Sequence, residues 1–483
     1  MAIRKSDKTY LEALLELTNT FSEQLSDLKD RVYPSTCPLA LVNCLLKSSQ
    51  ILLDRIQHII SSSNTAQDRV VEDLLSQASD IYLFIEFFQS YVLPIIRASD
   101  SNNVPAELVR PLEQIAGYIF PGSNLVISSV PESNYYFSDM STKVKELFAS
   151  LNLESVLAEQ KFDTQDIYHL QLSNNPPCNI LSHCLLGHEI GHALYKKNNV
   201  DAKISPLIQF DDAVIKHIAS SIFEALLSAL SASQTPPQMV LQQTKELIEY
   251  RTRFQLPIIA ASWAEELFSD FIGTGLFGPA YICSLSVLTL PFDDIDMPSE
   301  SHPPSRFRVQ SCIIALNRSD PGFGYKKLVD NNKSDEYEAL IHPWRDAVTN
   351  AFHRPTDDLY KTVFNLVLNI KDDIILESKR QLNTNAFSYS RFHAEVPQLR
   401  NRLIDWLPPN EYQLNTGDKF HTPSIQAIFN SGWLSYLEDM NTLLKLFPDF
   451  SELVIRKKFY QLIAKGIELS NIQDRWKTLS KLV

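Results

Sequence analysis

Glycine is scarce in this sequence. Only 12 of its 483 residues are glycine, where an ordinary chain has about 7%. Because glycine supplies tight turns and strand bulges, a chain this poor in it is expected to be mainly helical. Five of the 12 fall in two short windows, at Gly187, Gly191, Gly273, Gly275 and Gly278. Those windows also hold the residues on which a functional interpretation depends.

The composition is that of a globular protein. Apolar residues make up 44% of the chain and charged residues 21%, which excludes a disordered chain, a collagen-like fibre and a disulfide-stapled miniprotein. The formal net charge of −13 argues against nucleic acid as a partner, since phosphate binding needs a basic surface. The six cysteines are scattered without a CxxC pair, so we expect reduced thiols and a cytoplasmic protein.

No segment is expected to enter a membrane. The first twenty residues lack the continuous apolar run of a signal peptide. The most apolar stretch, residues 81–96, is interrupted by Glu86 and Gln89 and is shorter than the ~20 residues that a membrane-spanning helix needs. We expect it to form a buried amphipathic helix instead.

Periodicity along the chain predicts a mainly α fold with a small β-sheet (α+β). Residues 1–98 repeat apolar positions at intervals of three and four, as helices do, whereas residues 124–130 and 167–173 are short and β-rich. We expect an N-terminal helical region at 1–122, a core at 123–318 with a helical insertion at about 200–255, and a C-terminal helical region at 319–483. The strand at 167–173 is expected to present an edge for an extended peptide.

The sequence HEIGH at 188–192 is a candidate metal-binding motif of the HExxH type. On a helix, His188 and His192 lie on one face, one turn apart, so both imidazoles can bind one Zn²⁺. Glu189 would then face the water on the metal and act as general base. Gly187 and Gly191 are costly inside a helix, which predicts that another backbone packs closely against this one.

A catalytic zinc site needs a third protein ligand. In SWAEELFSDFIG, residues 262–273, Glu266 and Asp270 lie at i and i+4 of an apolar helix. We expect Glu266 to be the third ligand and Asp270 to accept a hydrogen bond from the far nitrogen of a ligand imidazole. The adjacent Glu265, about 100° away around the helix, is expected to point elsewhere.

These motifs resemble those of the gluzincin metallopeptidases, in particular the family of the heat-shock protease HtpX and the CAAX prenyl proteases. The family's ligand helix carries ExxxDxxG, and Glu266, Asp270 and Gly273 occupy those places. The family also has a His-Pro followed by an Arg six residues after the His, and HPPSRFR provides His302 and Arg308. The resemblance implies a zincin-like core in which His302 and Arg308 bind the substrate carbonyl or the oxyanion, a role that suits a cation and an imidazole donor.

We therefore expect a soluble zinc metallopeptidase of protein or peptide substrates, an endopeptidase, without a membrane span and with a regulatory protein partner bound through its helical flanks. Two alternatives stay open. One is a scaffold or binding protein that retains a zincin-type site, and the other is a zinc hydrolase of a non-peptide amide.

Overall fold

The computed structural model describes residues 5–63, 68–131, 135–173, 180–229, 237–291, 295–317, 336–349, 355–382, 387–414 and 419–480. The chain divides into two compact units, Met1–Cys178 and Asn179–Val483. The mainly α class with a small sheet, predicted from the shortage of glycine and from the periodicity along the chain, is confirmed. Of the predicted region boundaries, 122 stays a prediction and 318 lies outside the described residues.

The first unit combines long helices with a three-stranded sheet. Its core is an apolar cluster that includes Phe21, Leu45, Phe84 and Phe148. A π-helical turn, Phe88–Val92, joins two of the helices. In chain order the elements are α1 (Lys5–Lys29), α2 (Cys37–Ser63), α3 (Asp68–Phe87), α4 (Leu93–Ala98), α5 (Ala106–Ile119), β1 (Asn124–Val130), β2 (Tyr136–Asp139), α6 (Ser141–Ser150), α7 (Glu154–Glu159) and β3 (Ile167–Ser173).

The predicted strands at 124–130 and 167–173 are β1 and β3. The sheet order is β1-β3-β2, with β1 parallel to β3 and β2 antiparallel to it. The expectation that 167–173 offers a free edge is therefore wrong, because β3 is the central strand. The four-residue β2, too short and polar to be recognised as a strand in the sequence, takes up one of its edges.

One helical stretch of the first unit, Val70–Ala98, is long and apolar enough to cross a membrane by length and composition alone. Core helices of soluble proteins pass the same test, and Phe84, Phe88 and Ile96 in this stretch are fully buried. The expected absence of a membrane span stays a prediction.

The second unit is almost entirely helical in its described part. It begins with a 3₁₀ turn at Ile180–Leu185 and continues with α8 (Leu186–Lys197), α9 (Asp201–Ile204), α10 (Asp212–Ala229), α11 (Gln238–Phe277), α12 (Pro279–Thr289), α13 (Ser305–Asn317), α14 (Glu336–Thr349), α15 (Asp358–Leu382), α16 (Tyr389–Ile404), α17 (Ile425–Glu438), α18 (Met440–Leu446) and α19 (Glu452–Leu479). The short strands β4 (Tyr412–Gln413) and β5 (Phe420–His421) form a hairpin.

Helix α11 organises this unit. It runs without interruption for 40 residues through Pro257, although a proline inside a helix removes one backbone hydrogen bond. From Trp263 to Phe277 nearly every side chain is buried, as expected of a helix at the centre of a unit. It ends at Phe277 and is followed by Gly278, whose φ of 64° favours glycine. Helices α9, α10 and the first part of α11 lie in the range 200–255, and the assignment of this range as an insertion stays a prediction.

Candidate metal centre

Helices α8 and α11 approach each other at their backbones. A Cβ atom added to Gly187 would lie 2.6 Å from Cα of Gly273, and one added to Gly191 would lie 2.5 Å from Cα of Ser269. Side chains at these positions would hold the helices apart. The close backbone contact expected from the two glycines of the HEIGH helix is therefore present, and it brings that helix directly onto α11.

At this crossing, His188, His192 and Glu266 converge. The two Nε2 atoms lie 3.0 Å apart. Glu266 Oε2 lies 3.5 Å from His188 Nε2, and Glu266 Oε1 lies 3.3 Å from His192 Nε2. One ligand atom from each residue falls within 4.8 Å of the others. The three residues expected to bind a metal thus form a group that could hold one ion.

The far nitrogen of each imidazole faces a carboxylate. His188 Nδ1 lies 2.9 Å from Asp270 Oδ1, and His192 Nδ1 lies 2.8 Å from Glu265 Oε1. A carboxylate accepts hydrogen bonds, so each Nδ1 carries a proton and the two Nε2 atoms face each other. Two Nε2 atoms at 3.0 Å repel each other unless they share a cation, which can be a proton on one of them or a metal ion.

Glu266 contributes a second sign that a cation belongs here. Its Oε2 atom is buried and accepts no hydrogen bond within the described residues, a costly state for a carboxylate oxygen. Its nearest cation, Arg308 Nη1, is 3.2 Å away. Two imidazole nitrogens and one carboxylate oxygen make a donor set that divalent transition metals accept, so the residues fit a metal ion.

A buried network holds Asp270 in place. Its Oδ1 accepts hydrogen bonds from Tyr281 Oη at 2.6 Å and Arg308 Nη2 at 2.8 Å, and its Oδ2 accepts one from Arg308 Nε at 2.8 Å. Although burial raises the pKa of Asp270, Arg308 and the hydrogen bonds lower it well below its usual range. Gly273 leaves room for the Tyr281 ring, which an added Cβ would approach to 2.4 Å.

Charges within the group shift the pKa values of its members. Burial would raise the pKa of Glu266, but Arg308 and His192 lower it to about 2. Burial would lower the pKa of His192, but Glu265 and Glu266 raise it to about 9. Without a metal, then, a proton on His192 supplies the cation, and a metal would have to displace that proton.

Glu189 interacts electrostatically with the same charged groups. Burial raises its pKa, and Glu266 adds to that shift, while the two imidazoles of the motif and Arg308 oppose it. A carboxylate with a raised pKa is a stronger base than one in water, which suits general-base chemistry near neutral pH.

His302 borders the group on the solvent side. It precedes α13, with its side chain 54% exposed and its Nε2 3.6 Å from Glu266 Oε1. Its Nδ1 lies 2.7 Å from Ser301 Oγ. Burial lowers its pKa, partly offset by Glu266, which favours a neutral ring that can bind a ligand arriving from solvent.

Two side chains have roles that differ from those expected. Glu265, expected to point elsewhere, bonds His192. Arg308, expected at an oxyanion, directs its donors at Asp270 and Glu266 and has only 9% of its surface exposed. Tyr281 could not be recognised as part of this group from the sequence, since a tyrosine in an apolar helix carries no signal of its partner.

Comparison with protein-family models, with curated proteins and with solved structures found no match to this chain.

Proposed function

We propose that this chain is a zinc-dependent peptidase in which His188, His192 and Glu266 bind the metal. The observation that carries the proposal is the convergence of two imidazole Nε2 atoms at 3.0 Å with each Nδ1 atom hydrogen-bonded to a carboxylate. Zn²⁺ suits two imidazoles and a carboxylate, a ligand set found in catalytic zinc sites that leave one position open. When bound, such an ion supplies Lewis acidity and lowers the pKa of a water molecule toward ~7.

Residues of the chain itself transfer the proton, bind the substrate carbonyl and orient the imidazoles. Glu189 accepts the proton of the attacking water and returns it to the leaving amine. His302, exposed beside Glu266, donates a hydrogen bond to the substrate carbonyl as negative charge develops on it. Arg308 acts through Asp270 and Glu266, since its guanidinium holds both carboxylates. Asp270 and Glu265 fix the orientation of the two imidazoles.

The resemblance of HExxH, ExxxDxxG and HPxxxxR to the HtpX and CAAX prenyl protease family supports peptide bonds as the substrate. A soluble, cytoplasmic endopeptidase is the form we propose, with a regulatory protein bound through the helical flanks. A zinc hydrolase of a non-peptide amide would use the same residues.

A non-catalytic protein is the second candidate, and one observation favours it. The His192 pKa of about 9 and the contact between Arg308 and Glu266 allow the cluster to balance its charges without a metal. In that case the group would be a structural ion-pair network.

Cleavage of an unfolded protein separates these candidates. We expect the zinc-loaded wild type to cleave it, and Glu189→Gln, which keeps the size of the side chain but cannot accept the proton, to lose at least about 10²-fold in rate while retaining the metal. Cleavage by Glu189→Gln at the wild-type rate would contradict the assigned base. Zinc binding without cleavage of any protein would favour the scaffold or the amide hydrolase.

A further inference from the structure

The turn that carries His302 is attached to α11 by a buried tryptophan. Trp263, three residues before the candidate metal ligand Glu266, donates a hydrogen bond from Nε1 to the carbonyl oxygen of Ser299 at 2.9 Å. Its indole ring is fully buried and lies parallel to the ring of Tyr360 on α15, with 2° between the two planes. Since an indole N–H can only donate, this contact ties the exposed turn to the helix that holds Glu266.

Both ends of the turn are held as well. On the N-terminal side, Asp296 accepts a hydrogen bond from Arg306 Nε at 2.8 Å. On the C-terminal side, Pro303 and Pro304 are buried, and a proline restricts the residue before it to extended backbone. His302 therefore has a restricted backbone, although its side chain is 54% exposed.

Two serines surround His302 with hydrogen bonds inside the turn. The backbone N–H of Ser299 donates to the carbonyl oxygen of His302, and the backbone N–H of His302 donates to Ser299 Oγ, both at 2.9 Å. Ser301 Oγ lies 2.7 Å from His302 Nδ1 and 3.3 Å from Ser299 Oγ. Each hydroxyl has one proton to donate, so the donors in this row of three groups all point in one direction or all in the other.

The carboxylate of Glu266 decides that direction. His302 Nε2 lies 3.6 Å from Glu266 Oε1, and a neutral imidazole has a single proton. With the proton on Nδ1, the lone pair of Nε2 would face the carboxylate and be repelled, whereas a proton on Nε2 makes the contact attractive. Nδ1 then accepts a hydrogen bond from the Ser301 hydroxyl, which in turn accepts one from Ser299.

We propose that Ser301 and Trp263 are positioning residues that hold His302 with its Nε2–H directed at the metal group. Ser301 determines which nitrogen carries the proton, and Trp263 determines where the turn places the ring. Only an Nε2–H can donate a hydrogen bond to a substrate carbonyl beside Glu266. The catalytic role of this arrangement rests on the proposed peptidase function, whereas the position of the proton does not.

NMR of the full chain labelled with ¹⁵N-histidine tests the position of the proton. At a pH of about 8, where an ordinary imidazole is neutral, we expect His302 to carry its proton on Nε2; its signals are identified by their absence from His302→Gln. Ser301→Ala should populate both tautomers, because the ring can turn over once Nδ1 has no fixed donor. Ser301→Thr, the matched control, keeps the hydroxyl and should keep the Nε2–H form.

Kinetics of cleavage of the same unfolded protein test the effect on catalysis. Ser301→Ala and Trp263→Phe should each lower kcat about five- to tenfold, the effect of one orienting hydrogen bond, with KM and zinc content unchanged. Ser301→Thr should keep the wild-type kcat. So should Trp433→Phe, which removes another fully buried indole, one that donates to Ser284 Oγ.

Two results would overturn the inference. One is a wild-type His302 with its proton on Nδ1, or a Ser301→Ala ring still confined to the Nε2–H form. The other is a wild-type kcat in Ser301→Ala or Trp263→Phe. If the wild type cleaves nothing, the proposed function fails, and the NMR measurement, which needs no substrate, still decides the inference.

Discussion

Replacing Gly191 by alanine tests whether the approach of α8 to α11 sets the geometry of the metal group. The new Cβ would lie 2.5 Å from Cα of Ser269, and ordinary contact begins at 3.4 Å. The clash is with backbone, which no side-chain rotation relieves, so the helices must separate by about 0.9 Å at this point.

The effect of that shift on zinc affinity and on stability can be calculated from the contacts of His192 and Gly191. Moving His192 by about 0.9 Å would stretch its 2.8 Å hydrogen bond to Glu265 beyond hydrogen-bond range. Loss of such an orienting bond lowers metal affinity about 10- to 100-fold. Overpacking costs about 1–3 kcal/mol, and alanine's better helix propensity returns about 1 kcal/mol, so the free energy of unfolding should fall by about 1 kcal/mol.

Competition with a zinc chelator measures the affinity, and thermal unfolding of the metal-free protein measures the stability. The matched control is Gly117→Ala in α5, where an added Cβ meets nothing within 4 Å and should stabilise the protein slightly. Wild-type zinc affinity and stability in Gly191→Ala would refute the argument.

Two further predictions each concern one side chain, Glu265 at the metal group and the buried His169. Glu265→Ala should lower zinc affinity about 10- to 100-fold in the chelator assay, whereas Glu265→Gln, which keeps an acceptor oxygen for His192, should lower it less; equal losses would contradict the orienting role. Burial lowers the pKa of His169 to about 4, below the ~6.5 of an unfolded chain. The unfolded state therefore binds the proton first, and stability should fall by about 3 kcal/mol as pH drops from ~6.5 to ~4. In urea unfolding His169→Gln should lose less stability over this range, and an equal loss would exclude His169 as the cause.

The residues of the metal group could be predicted from the sequence, because the side chains that share one face of a helix are set by their spacing along the chain. His188 and His192 share a face by their separation of four, and the same rule links Glu266 to Asp270. The shortage of glycine likewise predicted the mainly α class, and the placement of Gly187 and Gly191 predicted a close helix contact.

The contact of Glu265 with His192 does not follow from the geometry of α11 alone. His188 and His192 are one turn apart on α8, so where the helices cross they meet α11 at different places. Residues that diverge by about 100° on one helix can therefore both reach the imidazole pair. Only the crossing geometry, which the sequence does not contain, shows this.

The other differences have similarly non-local causes. Arg308 matches a motif position, but its partners Asp270 and Glu266 lie about 40 residues earlier in the chain, and their contact depends on how α13 packs against α11. Pro257, a residue type that usually begins or ends a helix, lies inside α11, because it removes only one backbone hydrogen bond from a helix that tertiary packing supports.

Metal stoichiometry tests the central claim most directly. Elemental analysis of purified protein should find one zinc per chain in the wild type and in Glu189→Gln, and none in Glu266→Ala. Wild-type protein that binds no divalent metal, or Glu266→Ala protein that retains zinc at full occupancy, would contradict the assignment of His188, His192 and Glu266 as a metal centre.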